Sequence, residues 1–184
     1  MATKILGISG SLRKQSFNRW ALQAAQKLAP TDTTIEAYDI AGLPLYNQDE
    51  EQTPTPKVAD FKAKIRAADA ILIVTPEYNY SIPGVLKNAI DCVSRPYGDS
   101  AWTGKPVALL GASVGALGTA RAQYHLRQCF VFLNMFAVPQ PEVLIRECAN
   151  KFDAQGNLTD DAAKKLIQQL LVNLVTLAKK LKAA

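Results

Sequence analysis

Residues able to do chemistry gather first in Ser9-Gly10-Ser11-Leu12-Arg13-Lys14-Gln15-Ser16-Phe17-Asn18. This polar stretch follows an apolar run at 5–8 and precedes a helical pattern from residue 18 onward. A strand-to-helix junction of this kind offers unpaired N–H groups and the positive end of a helix dipole, which together suit a phosphate. Ser11, Ser16 and Asn18 add side-chain donors, and Arg13 adds a cationic fork matched to an anionic oxygen. Gly10 is the only glycine of the stretch, so Gly-x-Gly-x-x-Gly is absent, and no Gly-Lys-Ser/Thr follows. Hydroxyls with few glycines fit a single phosphomonoester, such as that of flavin mononucleotide (FMN), better than a pyrophosphate. An ordinary turn whose Ser and Asn serve only to cap the helix is the competing reading.

A second cluster is Thr75-Pro76-Glu77-Tyr78-Asn79-Tyr80-Ser81-Ile82-Pro83-Gly84. Prolines bracket its polar, aromatic tip and stiffen it. Rigid backbone N–H groups and aromatic faces suit a flat redox heterocycle, which needs donors at N5 and along its dioxo edge as it gains electron density. A proline-framed surface loop with exposed tyrosines is the alternative. The third cluster, Ala112-Ser113-Val114-Gly115-Ala116-Leu117-Gly118-Thr119, is built of small residues that let a ligand approach the backbone. Taken alone, it reads first as a flexible loop whose glycines serve only its turns. His125 is the only histidine and falls mid-helix, away from these loops, which predicts a structural role. Cys92, Cys129 and Cys148 form no Cys-x-x-Cys pair, so no metal site is expected, and Cys92 reads as packing.

The elements that must position these clusters follow from the alternation of short apolar runs with longer amphipathic stretches. Strands are predicted at 5–8, 34–38, 70–75, 107–111 and 138–144, and helices at 18–29, 57–67, 84–94, 119–135 and 159–182. Such alternation gives a parallel sheet with helices on both faces. The continuous run Ile71-Leu72-Ile73-Val74 fits a strand covered on both sides. The predicted fold is α/β: a flavodoxin-like, doubly wound three-layer sandwich with a five-stranded parallel sheet, in one domain spanning 1–184. Its ligand is expected beyond the carboxyl ends of the strands. Pro139 and Pro141 restrict the last strand to a sheet edge, if it forms at all. Thr55 before Pro56, and Thr159-Asp160-Asp161, mark helix starts. The polar connection 41–52 is either a lid or plain surface, and Tyr97 and Trp102 either cover a substrate or shield the core.

A net charge of +5 raises nucleic acid as a partner. The basic residues are scattered, however, and the densest group, Lys179, Lys180 and Lys182, complements a helix end. No nucleic-acid partner and no membrane insertion are therefore expected. Odd, widely spaced cysteines and an N-terminus without a signal-peptide pattern lead to the expectation of a cytoplasmic protein.

Three segments together resemble a known family: Gly10-Ser11-Leu12-Arg13-Lys14 with Ser16 and Asn18; Pro76-Glu77-Tyr78-Asn79-Tyr80-Ser81 with Pro83-Gly84; and Leu86-Lys87-Asn88-Ala89-Ile90-Asp91 with Ser94-Arg95. They are similar to the flavodoxin-like NAD(P)H-dependent FMN reductases, which include soluble quinone and chromate reductases. The likeness runs from about residue 5 to 142.

By this resemblance FMN is held without a covalent bond. Ser11, Ser16 and Asn18 give side chains to its phosphate, Arg13 its charge, and Leu12, Lys14, Gln15 and Phe17 their backbone. Pro76, Glu77, Tyr78, Asn79 and Tyr80 line the ring, largely through main-chain groups, while Ser113 and Gly115 approach it from the third loop. The implied reaction passes a hydride from NAD(P)H to the flavin and then to a quinone, azo compound, chromate or free flavin. No catalytic acid or base is demanded of the protein. Relatives are usually dimers or tetramers. Arg121, Tyr124 and Glu142 then either join Tyr80 in bonds between subunits or lie on a solvated face. The competing function is a flavodoxin-type electron carrier with no substrate of its own, and a basic chain with Arg13 at the phosphate argues against it. A nucleic-acid or regulatory protein that inherited the fold is the third reading.

Overall fold

The structure, a computed structural model, describes residues 2–183. Its elements in chain order are β1 (Thr3–Ser9), α1 (Phe17–Lys27), β2 (Thr33–Tyr38), α2 (Pro56–Ala67), β3 (Ala70–Val74), α3 (Gly84–Val93), β4 (Pro106–Ala112), α4 (Ala120–Phe132), β5 (Phe136–Ala137), β6 (Val143–Ile145) and α5 (Asp161–Ala183). The strands run parallel in the order β2-β1-β3-β4-β5, and β6 also pairs with β4.

Alternating strand residues feed two cores. Ile5, Leu72, Val74 and Leu110 meet α1 and α5 through Leu22, Ile167, Leu170 and Leu174. Leu6, Ile8, Ile71, Ile73 and Leu109 meet α2, α3 and α4 through Phe61, Ile65, Leu86, Ile90, Leu126 and Phe130. All five residues of β3 are buried, as a central strand between two helical layers requires. Gly7 lets α1 approach closely: a Cβ there would lie 2.6 Å from Leu22 Cδ1.

The predicted fifth strand is corrected. Its place is shared by two short pieces, with Phe136 and Ala137 paired to Pro106 and Val107, and Val143 to Ile145 paired to Leu110 through Ala112. Pro139 and Pro141 fall between them, because a proline has no N–H to give to a ladder. The start of α5 also shifts: Asp160 is the capping residue, its Oδ1 accepting the Ala163 N–H at 2.7 Å, while Thr159 lies outside and donates its N–H to Lys151 O at 2.9 Å. At α2, Pro56 does take the first helical position after Thr55, but the Thr55 hydroxyl makes no capping bond.

Asn88 pins the 41–52 connection, donating from Nδ2 to Pro44 O and accepting the Tyr46 N–H, both at 2.8 Å. Trp102 is buried and donates to Ile90 O at 3.0 Å, so it shields the core, whereas Tyr97 is exposed. Among the described residues, no helix is long and apolar enough to cross a membrane.

Candidate active site

The chain leaves β1 for the edge strand β2 and then crosses back to β3 on the other side of β1. This reversal opens a crevice at the carboxyl ends of β1 and β3, the usual ligand position in such sheets. Three loops leave that edge side by side. Their roots extend the ladders: Gly10 N–H to Val74 O at 2.8 Å, Thr75 N–H to Leu110 O at 2.9 Å and Ser113 N–H to Ile145 O at 3.0 Å. Gly111 permits the close approach, since a Cβ there would stand 2.4 Å from Thr75 O and 2.0 Å from Thr119 Oγ1.

In the first loop Ser16 caps α1, its Oγ accepting the Asn18 N–H at 3.2 Å and its carbonyl accepting the Trp20 N–H at 3.0 Å. Ser11 Oγ accepts the Arg13 N–H at 3.3 Å. Both serines are only 3% exposed, and each is used as an acceptor, so its hydroxyl proton is free for a ligand. The N–H groups of Phe17 and Arg19 make no hydrogen bond among the described residues. Leu12, Arg13, Lys14 and Gln15 are exposed at the rim, and Arg13 has no carboxylate partner among the described residues. Helix N–H groups, two hydroxyls and a guanidinium resting over the Phe17 ring, 5.7 Å from its centroid, form a cradle of the kind an anion needs.

Asn18 needs correction. Its amide is taken by the end of β4, donating to Ala112 O and accepting from Ala112 N, both at 2.9 Å. It stitches α1 to the sheet because the first helical turn points it inward. Phe17 likewise contributes only backbone to the cradle, since its ring meets Trp20 and Phe152 at centroid distances of 5.3 and 5.6 Å. Two supports were not visible in the sequence. Arg19 Nε donates to Ser11 O at 3.2 Å while its guanidinium pairs with Asp39 at 3.3 Å. Phe152, from the segment after β6, wedges the start of α1. Only the aromatic at 152 in a polar stretch signalled it.

The second loop is a tight hairpin. Tyr78 N–H donates to Ser81 O at 3.1 Å and Ser81 N–H to Tyr78 O at 3.0 Å. Asn79 and Tyr80 at its tip have φ of 48° and 67°. Asn tolerates this left-handed region, but a bulky residue there costs about 1 kcal/mol. Glu77 does not aim its side chain at the crevice. Its carboxylate caps α4, with Oε2 accepting the N–H groups of Arg121 at 3.0 Å and Ala122 at 3.2 Å, and Oε1 accepting Arg121 Nε at 2.6 Å. It takes over from Thr119, which is left-handed and makes no capping bond. The Arg121 guanidinium lies 3.5 Å from the centroid of the Tyr80 ring, and its pairing with Glu77 raises its pKa further. Tyr124 donates to Glu142 Oε2 at 3.2 Å within the chain, which lifts its phenol above the ordinary range.

His125 was placed away from the loops by its sequence position, and this is corrected: its Nδ1 lies 2.9 Å from Ser81 Oγ. Helix α4 runs beneath the hairpin, a packing that helical periodicity does not reveal. In the third loop Ser113 Oγ accepts the Gly115 N–H at 3.1 Å, and the carbonyls of Ser113 and Gly115 accept the N–H groups of Cys148 and Glu147 at 3.1 and 3.3 Å. Burial pushes the Cys148 thiol up to about 11 and raises Cys92 as well, so neither is poised for redox work. No cluster of metal-ligating side chains occurs among the described residues.

The edge thus sets the cradle beside the hairpin that follows Glu77 and beside the loop from Ser113 to Gly115, whose main chain at both ends is bonded within the chain. Exposed Leu12, Tyr78, Tyr80, Val114 and Leu117 supply apolar contact on the same three loops. That combination fits a ligand with an anionic tail and a flat apolar body, as FMN has. Known proteins agree. Residues 3–150 match the family model of NADPH-dependent FMN reductase. An NAD(P)H-dependent FMN reductase of Pseudomonas aeruginosa is 57% identical over 169 residues, covering 91% of each chain. A 2-hydroxy-1,4-benzoquinone reductase of Burkholderia is 49% identical over 172 residues and 93% of each chain. The solved flavoenzyme NAD(P)H:(acceptor) oxidoreductase FerB of Paracoccus denitrificans superposes with a TM-score of 0.89 at 36% identity, over 97% of this chain and 98% of that one. With its cradle and hairpin lying inside the matched span, the chain belongs to the NADPH-dependent FMN reductase family.

Proposed function

We propose that this protein binds FMN at the crevice and uses NAD(P)H to reduce quinones or other small acceptors, among them azo compounds, chromate and free flavin. The observation that carries the reading is the meeting, at one switch point, of the uncommitted donors of residues 11–17 with the left-handed hairpin 78–81. FMN, when bound, supplies the hydride-accepting chemistry. The protein's own part is binding and orientation. Ser11 and Ser16 give hydroxyl protons to the phosphate, the amino end of α1 gives its free N–H groups and Arg13 gives charge. Main-chain groups of 77–80 fix the ring, the small residues 113–115 let it lie close, and Tyr78 and Tyr80 shape the face that nicotinamide and acceptor use in turn.

Dimers or tetramers and a cytoplasmic location complete the proposal. Exposed Val131, Phe132 and Phe136 near the end of α4 support association. The test adds FMN to the purified protein, reads the flavin spectrum, and follows NADPH oxidation with a benzoquinone. A shifted spectrum and ping-pong turnover are expected. Retained flavin without turnover would favour an electron carrier, and no flavin binding at saturation would defeat the proposal.

A further inference from the structure

The hairpin 78–81 has little to hold it. Only two backbone bonds close it, its tip residues sit in a sparsely populated backbone region, and Tyr80 is 70% exposed. An isolated two-stranded hairpin is marginal in water, and a strained one persists only where its surroundings over-determine it. Those surroundings are two side chains one helical turn apart on α4. Arg121 holds the entry through Glu77 and lies over the Tyr80 ring at the tip, and His125 holds the exit through Ser81. The grips are unequal. The Glu77 carboxylate takes three donors from α4, whereas the Ser81 side chain has His125 Nδ1 alone.

We infer that His125 is a positioning residue: through Ser81 it fixes the exit of the hairpin and so sets where the main chain of Tyr78 to Tyr80 stands. That this main chain meets the flavin ring rests on the functional reading above. The imidazole touches no reacting atom, and Ser81 Oγ can donate to it or accept from it. The role therefore needs a polar atom at the Nδ1 position rather than a particular proton. Asparagine, whose amide reaches that position, fills it; leucine does not.

Amide hydrogen exchange on the flavin-free protein tests the clamp directly. In His125→Leu, and independently in Ser81→Ala, which leaves α4 untouched, the Tyr78 and Ser81 N–H groups are expected to exchange about tenfold faster, the worth of one hydrogen bond. Strand β3 should keep its protection. His125→Asn should return both amides to wild-type rates, and Ser81→Ala/His125→Leu should exchange no faster than either single variant. FMN titration by fluorescence quenching should show several-fold weaker binding in the Leu and Ala variants and recovery in the Asn variant. Unchanged exchange at residues 78 and 81 in both single variants overturns the clamp. Faster exchange with unaltered FMN affinity upholds the clamp and overturns the contact between hairpin and ring.

Discussion

Asn18, in the first turn of α1, and Arg13, in the loop before it, sit five residues apart and face different ways. Removing the Asn18 amide leaves the buried N–H and C=O of Ala112 unpaired, so Asn18→Ala should cost about 2–4 kcal/mol in urea unfolding. Arg13→Ala should leave the unfolding midpoint in place and weaken FMN by about tenfold, the worth of one charge-assisted contact, in a quenching titration. Nothing in the sequence separated these two. A polar side chain in a βα loop reads as a ligand donor whether it faces the crevice or the sheet, and only the rotation of the first helical turn decides. Ser16 was legible as the cap of α1, because capping calls for a short hydroxyl side chain at that place. Cys148 adds a third expectation: with its thiol pushed up to about 11, it should resist a disulfide-exchange reagent at pH 8 and react once the chain is unfolded in denaturant.

Elements were legible where a period or a breaker wrote them. The apolar run of β3 and Pro56 at the head of α2 needed only local rules. The division of the fifth position into β5 and β6 was half-written, since the prolines that barred a continuous strand were plain, while the pairing on either side of them depends on what β4 offers. His125 was misread because a helical pattern fixes which face is buried but not which loop the helix underlies. Close approach is equally silent in a sequence. Gly111 stands where β3, β4 and the head of α4 converge, so Gly111→Ala must move backbone rather than a side-chain tip. A loss of about 3 kcal/mol in chemical denaturation is expected, along with weaker flavin binding as the loops at 75 and 119 part.

For the whole molecule, alternation alone gave the layers, and the parallel order put three loops on one edge without any knowledge of their contacts. The ends of the described chain are joined as well. Asp69 accepts the Lys4 N–H at 2.9 Å and faces Lys182 at 3.3 Å, tying β1 to the end of α5, and these bonds lower its carboxyl pKa. A depressed carboxyl contributes stability that is complete above its unfolded value, about 3.9, and fades as pH falls through the folded value. Thermal melts of Asp69→Asn should therefore show a smaller drop between pH 6 and pH 3 than wild type, by a modest margin because the lysine partner is solvated. Sheet margins, finally, govern how copies of a protein meet. One flank here presents two residues and then a proline-broken gap, so no long row of unsatisfied amides awaits a stranger's strand. Growth by cross-β addition is blocked on that flank, which leaves the six-residue strand β2 at the opposite margin as the place where a partner's strand would have to add.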